Sequence, residues 1–403
     1  MRISPTSVWF MLLLGLLAAL PSFGIDTSLP ALGAVGAALH VAPARAGLTM
    51  SVFMLGFAVT PLVYGPASDR YGRKPVVLFA CLLFTFAAIG CATASSLSAL
   101  LAWRFVQGAG AGASITVTLA MLRDVFDGRA ARERLSYIMT TTMTVPMLAP
   151  TLGATLMALG GWRGIHAFLA GVGALLSFAM LLGLGETAPR GAARPLAAIV
   201  RDYVRVLTHP ACRGYLLIAA ATFGALFAYV SGSPLFLIGV WGFGTERYGL
   251  VFAATSLGIM AGSLLNGRIS AMGVSYHYPL AVGLTVALLA TTVLLAMAIG
   301  AWMPSMLVIP LLVLCNVSFG LVMPNAMERA MQPFPETAGV VGAAAGFLQM
   351  ATGAAVSSLV ALFYDGRTAL SMTVLMTLCV LIAAASYLLL AYPSGRVVSL
   401  KSG

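Results

Sequence analysis

The chain has 403 residues, of which 60% are hydrophobic and 8% charged, and its formal net charge is +11. A composition this apolar excludes a soluble domain, because water would face more apolar surface than a monomer exposes. The basic excess does not mark a nucleic-acid binder either, since Lys and Arg are scattered between apolar runs rather than gathered in one patch.

Runs long enough to cross about 30 Å of hydrocarbon recur along the whole sequence. They predict an all-α membrane protein with twelve transmembrane helices, over 8–34, 46–66, 75–95, 98–122, 134–158, 163–184, 213–238, 247–268, 278–300, 304–327, 338–363 and 368–391. With the N-terminus inside, 17 of the 22 Lys and Arg residues fall in cytoplasmic segments, among them Arg2, Arg129, Arg132, Arg190, Arg194, Arg396 and Lys401. The positive-inside rule then places both termini in the cytoplasm. A secretory leader is the alternative reading of the first run, against which stand the eleven runs that follow.

Span 1 carries Gly15, Ala19, Ser22, Asp26 and Pro30 on one helical face. Between spans 2 and 3 lies GPASDRYGRK, residues 65–74, a charge-dense turn read as a cytoplasmic clasp. Gly65 and Gly72 allow close backbone approach there, and Asp69, Arg70 and Arg73 are available for ion pairs that can switch. Span 4 places Arg104, Gln107, Ala111, Ser114 and Thr118 on one face, which lipid would penalise and which therefore looks inward. Asp26 and Arg104 are the two charges that these spans place well inside hydrocarbon, at similar depth in the outer half. A carboxylate there either takes a proton or is held ionised by the guanidinium, and this competition is what proton coupling needs. In the alternative, span 1 ends near Gly24 and Asp26 caps a turn.

Span 5 holds Pro146, Pro150 and Gly153, read as a bend or hinge or else as a static kink. The polar interval 186–212 then separates an N-terminal six-helix half, 1–185, from a C-terminal half, 213–403. Within it RPLAAIVRDYVRVL reads either as an amphipathic helix on the inner membrane surface or as a basic linker. The two halves echo one another weakly: Gly262, Asn266 and Arg268 after span 8 parallel Gly65, Asp69 and Arg70 after span 2. Span 7 contributes Phe227 and Tyr229, span 10 Asn316, and span 11 Gln349 among several glycines. Together with Gln107 and Met143 these are candidates for a mixed apolar and polar substrate pocket, with helix packing as the alternative for the small residues. No phosphate loop, histidine cluster or Ser-His-acid set is present, so neither ATP hydrolysis, a metal site nor another enzymatic activity is expected. Five cysteines lying in or beside spans imply no disulfide framework.

With these residues in hand, the chain resembles the major facilitator superfamily, and within it the Bcr/CflA drug-resistance group of proton antiporters. GPASDRYGRK resembles the signature loop between helices 2 and 3, and AWRFVQGAGAG, 102–112, the helix 4 signature. PMLAPTLGATL, 146–156, resembles the antiporter signature of helix 5, with Ala154 where a second glycine is common. DTSLP at 26–30 resembles the helix 1 motif of drug exporters, and LRDVF at 122–126 and the segment 320–355 resemble the narrower group. The resemblance implies a monomer in a bacterial inner membrane that expels amphiphilic molecules, chloramphenicol- or bicyclomycin-like, against protons by alternating access. No cofactor is implied beyond the proton. Asp26 and Arg104 would couple the proton, Asp124 would pair with Arg73, and Asp69 would face the start of helix 11 near Thr337 and Ala338. A metabolite carrier, and more remotely a channel or scaffold, are the competing readings.

Overall fold

The computed structural model describes residues 4, 7–126, 128–188 and 196–392, apart from the side chains of 129, 132, 139, 143, 196, 199 and 335. Arg2, Arg190, Arg194, Arg396, Lys401 and the side chains of Arg129, Arg132 and Met143 lie outside the described residues. The chain divides into two compact units, Met1–Leu196 with Gly244–Gly249, and Ala197–Phe243 with Leu250–Gly403.

The first unit opens with α1 (Val8–Ala18), α2 (Leu20–Asp26) and α3 (Leu32–Ala38), which form one span bent by 42°. Prolines flank both breaks: Pro21 follows the one at Ala19, where the 42° bend falls, and Pro30 the one after Asp26. Pro30 lacks the N–H that would bond the Asp26 carbonyl one turn back, so α2 stops at Asp26 and a 3-10 turn, Leu29–Ala31, follows. α4 (Pro43–Val59) and α5 (Pro61–Tyr71) form a second span bent by 40°, and the Thr60 hydroxyl bonds the Phe57 carbonyl that Pro61 leaves free, at 2.8 Å. α6 (Arg73–Thr93) packs on α7 (Leu97–Ala111) and on α9, while α4 crosses α7. α8 (Ala113–Val125) continues α7 past Gly112.

α9 (Gly128–Gly183) has 56 residues, about 84 Å if straight, far more than one bilayer. Its one non-helical residue is Gly161 (φ 63°, ψ −168°), which divides it into 128–160 and 162–183. Helical geometry runs unbroken through Pro146 and Pro150. Nine helices among the described residues are long and apolar enough to cross a membrane, and the two bent pairs raise this to eleven spans. Dividing α9 at Gly161 brings the number to the twelve expected.

The α4–α7 crossing brings two backbones into contact. A Cβ on Gly108 would lie 1.9 Å from the Phe53 carbonyl oxygen, and one on Gly56 2.1 Å from that of Phe105. This crossing sets the depth of Arg104, one turn before Gly108.

The second unit begins with α10 (Leu196–Thr208), so the stretch that read as helix or linker is helical over the part described. Its Val206 is buried in a core with Tyr215, Val322 and Val341, while Val200, Val204 and Leu207 face outward. α11 (Pro210–Leu237) is central, packing on α14 (Ser305–Met331), α15 (Ala338–Phe363) and α16 (Leu370–Ser386). α13 (His277–Ile299) packs on α14 and α16. α12 (Thr245–Ala271) meets α14 at glycines as α4 meets α7: a Cβ on Gly262 would lie 2.0 Å from the Val317 carbonyl oxygen, and one on Gly320 2.2 Å from that of Ile259. Gly262, Asn266 and Arg268 lie inside α12 rather than after it.

Candidate functional site

Arg104 is fully buried, and its guanidinium reaches back to the broken first span. Nη1 donates to the Gly24 carbonyl at 2.9 Å and to Gln107 Oε1 at 2.8 Å, and Nε donates to the Thr49 carbonyl at 3.3 Å. The cation also lies 4.5 Å from the Phe53 ring centroid. Gly24 and Phe23 carbonyls have lost their helical donors to the break after Asp26; the Thr27 hydroxyl serves Phe23, and Ser28 Oγ joins Arg104 on Gly24 at 3.4 Å. Unwinding one turn of the first span thus creates the acceptor that Arg104 holds.

Asp26 is 7% exposed, and its carboxyl makes no hydrogen bond or ion pair among the described residues. The expected Asp26–Arg104 ion pair is therefore not formed in this structure, because the guanidinium is engaged by a backbone carbonyl two residues earlier. Gly153 of α9 presses on the same turn: a Cβ there would lie 2.1 Å from the Thr27 carbonyl oxygen. This close approach requires glycine at 153.

At the 65–74 segment the expected water-facing turn is mostly helix, since 65–71 complete α5. Gly72 alone leaves helical geometry, with φ +101°, and a Cβ on it would meet Glu186 Oε2 at 2.4 Å. Gly65 needs no such room, because a Cβ there would have ordinary contact, 3.9 Å, with Thr116. Arg73 gathers three partners: its Nε donates to Asp124 Oδ2 at 2.9 Å, and its Nη1 to Ser68 Oγ at 2.7 Å and to Asp69. The Asp124 partner is buried with it, whereas the Asp69 side chain is 51% exposed. Arg70 is exposed and lies over the Tyr71 ring, 5.5 Å from its centroid, rather than in an ion pair.

Two residues not singled out in the sequence complete this end. Glu186 accepts the first amides of α6, Arg73 N–H at 2.8 Å and Lys74 N–H at 3.3 Å. Lys74 Nζ donates to the Leu181 and Leu184 carbonyls at the end of α9, at 2.9 and 2.8 Å. A lone acid directly after a span, near basic residues, was the available signal; its partner lies 113 residues away and no local pattern reveals it.

The pocket candidates separate. Gln107 is committed to Arg104, with Cys91 Sγ at 3.8 Å from the same Oε1. Tyr229 is buried, its hydroxyl 2.8 Å from Thr255 Oγ1 and its ring stacked on Phe252, so it serves packing of α11 on α12 rather than an open wall. Phe227 is buried against Phe223, ring centroids 4.7 Å apart. Asn316 donates to the Leu312 carbonyl and keeps a buried, unpartnered Oδ1. Gln349 is half-buried, and its Nε2 rests on the sulfurs of Met323 and Met327 at 3.5 and 3.7 Å. Those methionines are a polarisable, adaptable surface that the sequence reading overlooked.

Comparison with known proteins agrees with this architecture. The family model described as Major Facilitator Superfamily matches residues 11–360. The uncharacterized MFS-type transporter YdgK of Bacillus subtilis is 30% identical, covering 93% of each chain. The bicyclomycin resistance protein homolog of Haemophilus influenzae is also 30% identical, over 94% of this chain and 95% of its own. The multidrug resistance protein MdtL of Escherichia coli is 31% identical over 81% of this chain and 82% of its own. Among solved structures, a bacterial homologue of the human lysosomal transporter Spinster has TM-score 0.76 at 15% identity, covering 96% of this chain and 97% of that one. The xylose transporter XylE of Escherichia coli has TM-score 0.70 at 14% identity, covering 95% and 98%. The chain belongs to the Major Facilitator Superfamily, and it is a multi-pass membrane transporter.

Proposed function

We propose that this chain is a proton-driven exporter of neutral or singly charged amphiphilic drugs, oriented with both termini in the cytoplasm of a bacterial inner membrane. The observation that carries the proposal is the buried, unpartnered Asp26 carboxyl one short turn from the carbonyl that Arg104 holds. A carboxyl without a partner at that depth is far less costly with its proton than without it. If Arg104 releases Gly24 and turns to Asp26, the pair favours the ionised acid and the proton leaves. Two arrangements of one guanidinium thus correspond to two protonation states of one acid.

A single proton crossing about 150 mV supplies about 3.5 kcal/mol, enough for a few-hundred-fold gradient of a neutral solute. One acid in the site suits such substrates and disfavours dications. The half-buried Gln349 amide on Met323 and Met327 supports a flat or amphiphilic compound with one polar handle. The names of the Haemophilus and Escherichia relatives support drug efflux, with bicyclomycin as the first probe. The Arg73, Asp69 and Asp124 contacts are the parts that would break and remake as access alternates.

The test is uptake of bicyclomycin and chloramphenicol into energised everted vesicles, with and without a protonophore. Asp26→Asn abolishes concentrative transport and retains binding. Proton-driven accumulation by Asp26→Asn at wild-type rate refutes the assignment.

A further inference from the structure

His166 has no part in the proposed proton coupling, yet it lines the same small cavity as Arg104. A cavity of about 10 Å³ lies in the first unit, lined by Ser28, Thr49, Arg104, Trp162 and His166 among apolar neighbours. All five are at most 7% exposed. Arg104 Nη2 and His166 Nδ1 are both buried without a hydrogen-bond partner. Two such orphans on one cavity are unusual, because buried polar groups are nearly always satisfied by protein or by ordered water. The volume is at the lower limit of what a single water needs, and at least two polar partners are on its walls.

We propose that one water occupies this cavity, accepting from Arg104 Nη2 and donating to His166 Nδ1, and that His166 is thereby a positioning residue for Arg104. Arg104 is the one charged group among the described residues lining the cavity, and the neighbouring Arg163 is turned onto the Trp162 ring at 4.2 Å and the Ala94 carbonyl at 3.0 Å. From the first span come Ser28 and apolar side chains, from α4 Thr49; Asp26 is not among the lining residues. The bridge requires the His166 tautomer with its proton on Nε2, leaving Nδ1 to accept. It restrains the guanidinium through Nη2, while Nη1 holds Gly24. Turning Arg104 toward Asp26 then means giving up the water as well as the carbonyl, so His166 biases the equilibrium between the two arrangements. The positioning role rests on the exporter reading; the water does not.

Two measurements on the full-length protein separate these statements. Microsecond X-ray hydroxyl-radical footprinting labels side chains beside fixed water even where bulk solvent is excluded. Trp162, 5% exposed, is labelled in the wild type, retains its label in His166→Asn, whose Oδ1 can replace Nδ1, and loses it in His166→Leu. An unlabelled wild-type Trp162, or a label that survives His166→Leu, overturns the bridge. In proteoliposomes, His166→Leu lowers export on the order of tenfold in maximal rate at unchanged KM and moves the pH profile to more acid values, since an Asp26–Arg104 pair made easier needs more protons to break. His166→Asn restores both. A His166→Leu profile that superimposes on the wild type, or an Asn variant as impaired as Leu, overturns the positioning role. Absence of proton-driven export by a wild type whose Trp162 is labelled overturns the exporter reading and leaves the bridge standing.

Discussion

Replacing Gly108 by alanine adds one methyl where α4 and α7 touch. That carbon would lie 1.9 Å from the Phe53 carbonyl oxygen, and ordinary contact begins at 3.4 Å, so the backbones must part by about 1.5 Å. The Phe53 carbonyl belongs to the backbone of α4 and cannot swing aside as a side chain would. Parting displaces Arg104, one turn along α7, from Thr49 on α4 and loosens its grip on Gly24, both of which hold at hydrogen-bond length only in the present spacing. Overpacking of this kind costs about 1–3 kcal/mol, against which alanine gains about 1 kcal/mol of helix propensity. Gly171→Ala is the matched control, since a Cβ there meets nothing within 4 Å and the propensity gain stands alone. Detergent melting followed by fluorescence-detected size exclusion reads the stability, and everted-vesicle transport reads the Arg104 site. Gly108→Ala lowers the melting temperature and impairs transport; Gly171→Ala leaves transport intact and holds or raises the melting temperature. Indistinguishable behaviour of the two variants would show that the α4–α7 contact does not set the Arg104 site.

Asp124→Ala removes the more buried partner of Arg73, leaving Asp69 and Ser68, and costs about 1–3 kcal/mol, while Asp69→Ala, at a half-exposed carboxylate, costs under about 1 kcal/mol; equal melting shifts would contradict this ranking. Glu186→Ala removes the cap of α6 and costs about 1 kcal/mol, seen as faster amide exchange at Arg73 and Lys74. Tyr229→Phe loses one hydrogen bond to Thr255, about 1 kcal/mol, and leaves the substrate profile unchanged; an altered resistance spectrum would restore Tyr229 to the pocket wall.

Span positions were legible because apolar runs of membrane length leave few alternatives, and four charges within ten residues sufficed to mark the 65–74 segment. What periodicity could not show is where a helix stops bonding itself. The break after Asp26 depends on Pro30, four residues on, and its product, a bare Gly24 carbonyl, is the group Arg104 binds instead of the carboxylate. Tyr229 and Gln349 looked alike as polar residues on apolar helices; only packing separates a hydroxyl spent on Thr255 from an amide resting on two thioethers. Glu186 and His166 act through partners distant in sequence, at 113 residues for the former, which no helical wheel brings together.

The crossed capping by Glu186 and Lys74 stitches the beginning of one helix to the finish of another. Sliding either rod lengthwise would strip two amides and two carbonyls at once, so the third and sixth crossings travel as a single strut in any rocking of their unit. A tag inserted beyond Ala188 leaves the stitch untouched, whereas one inserted between Leu184 and Glu186 cuts it.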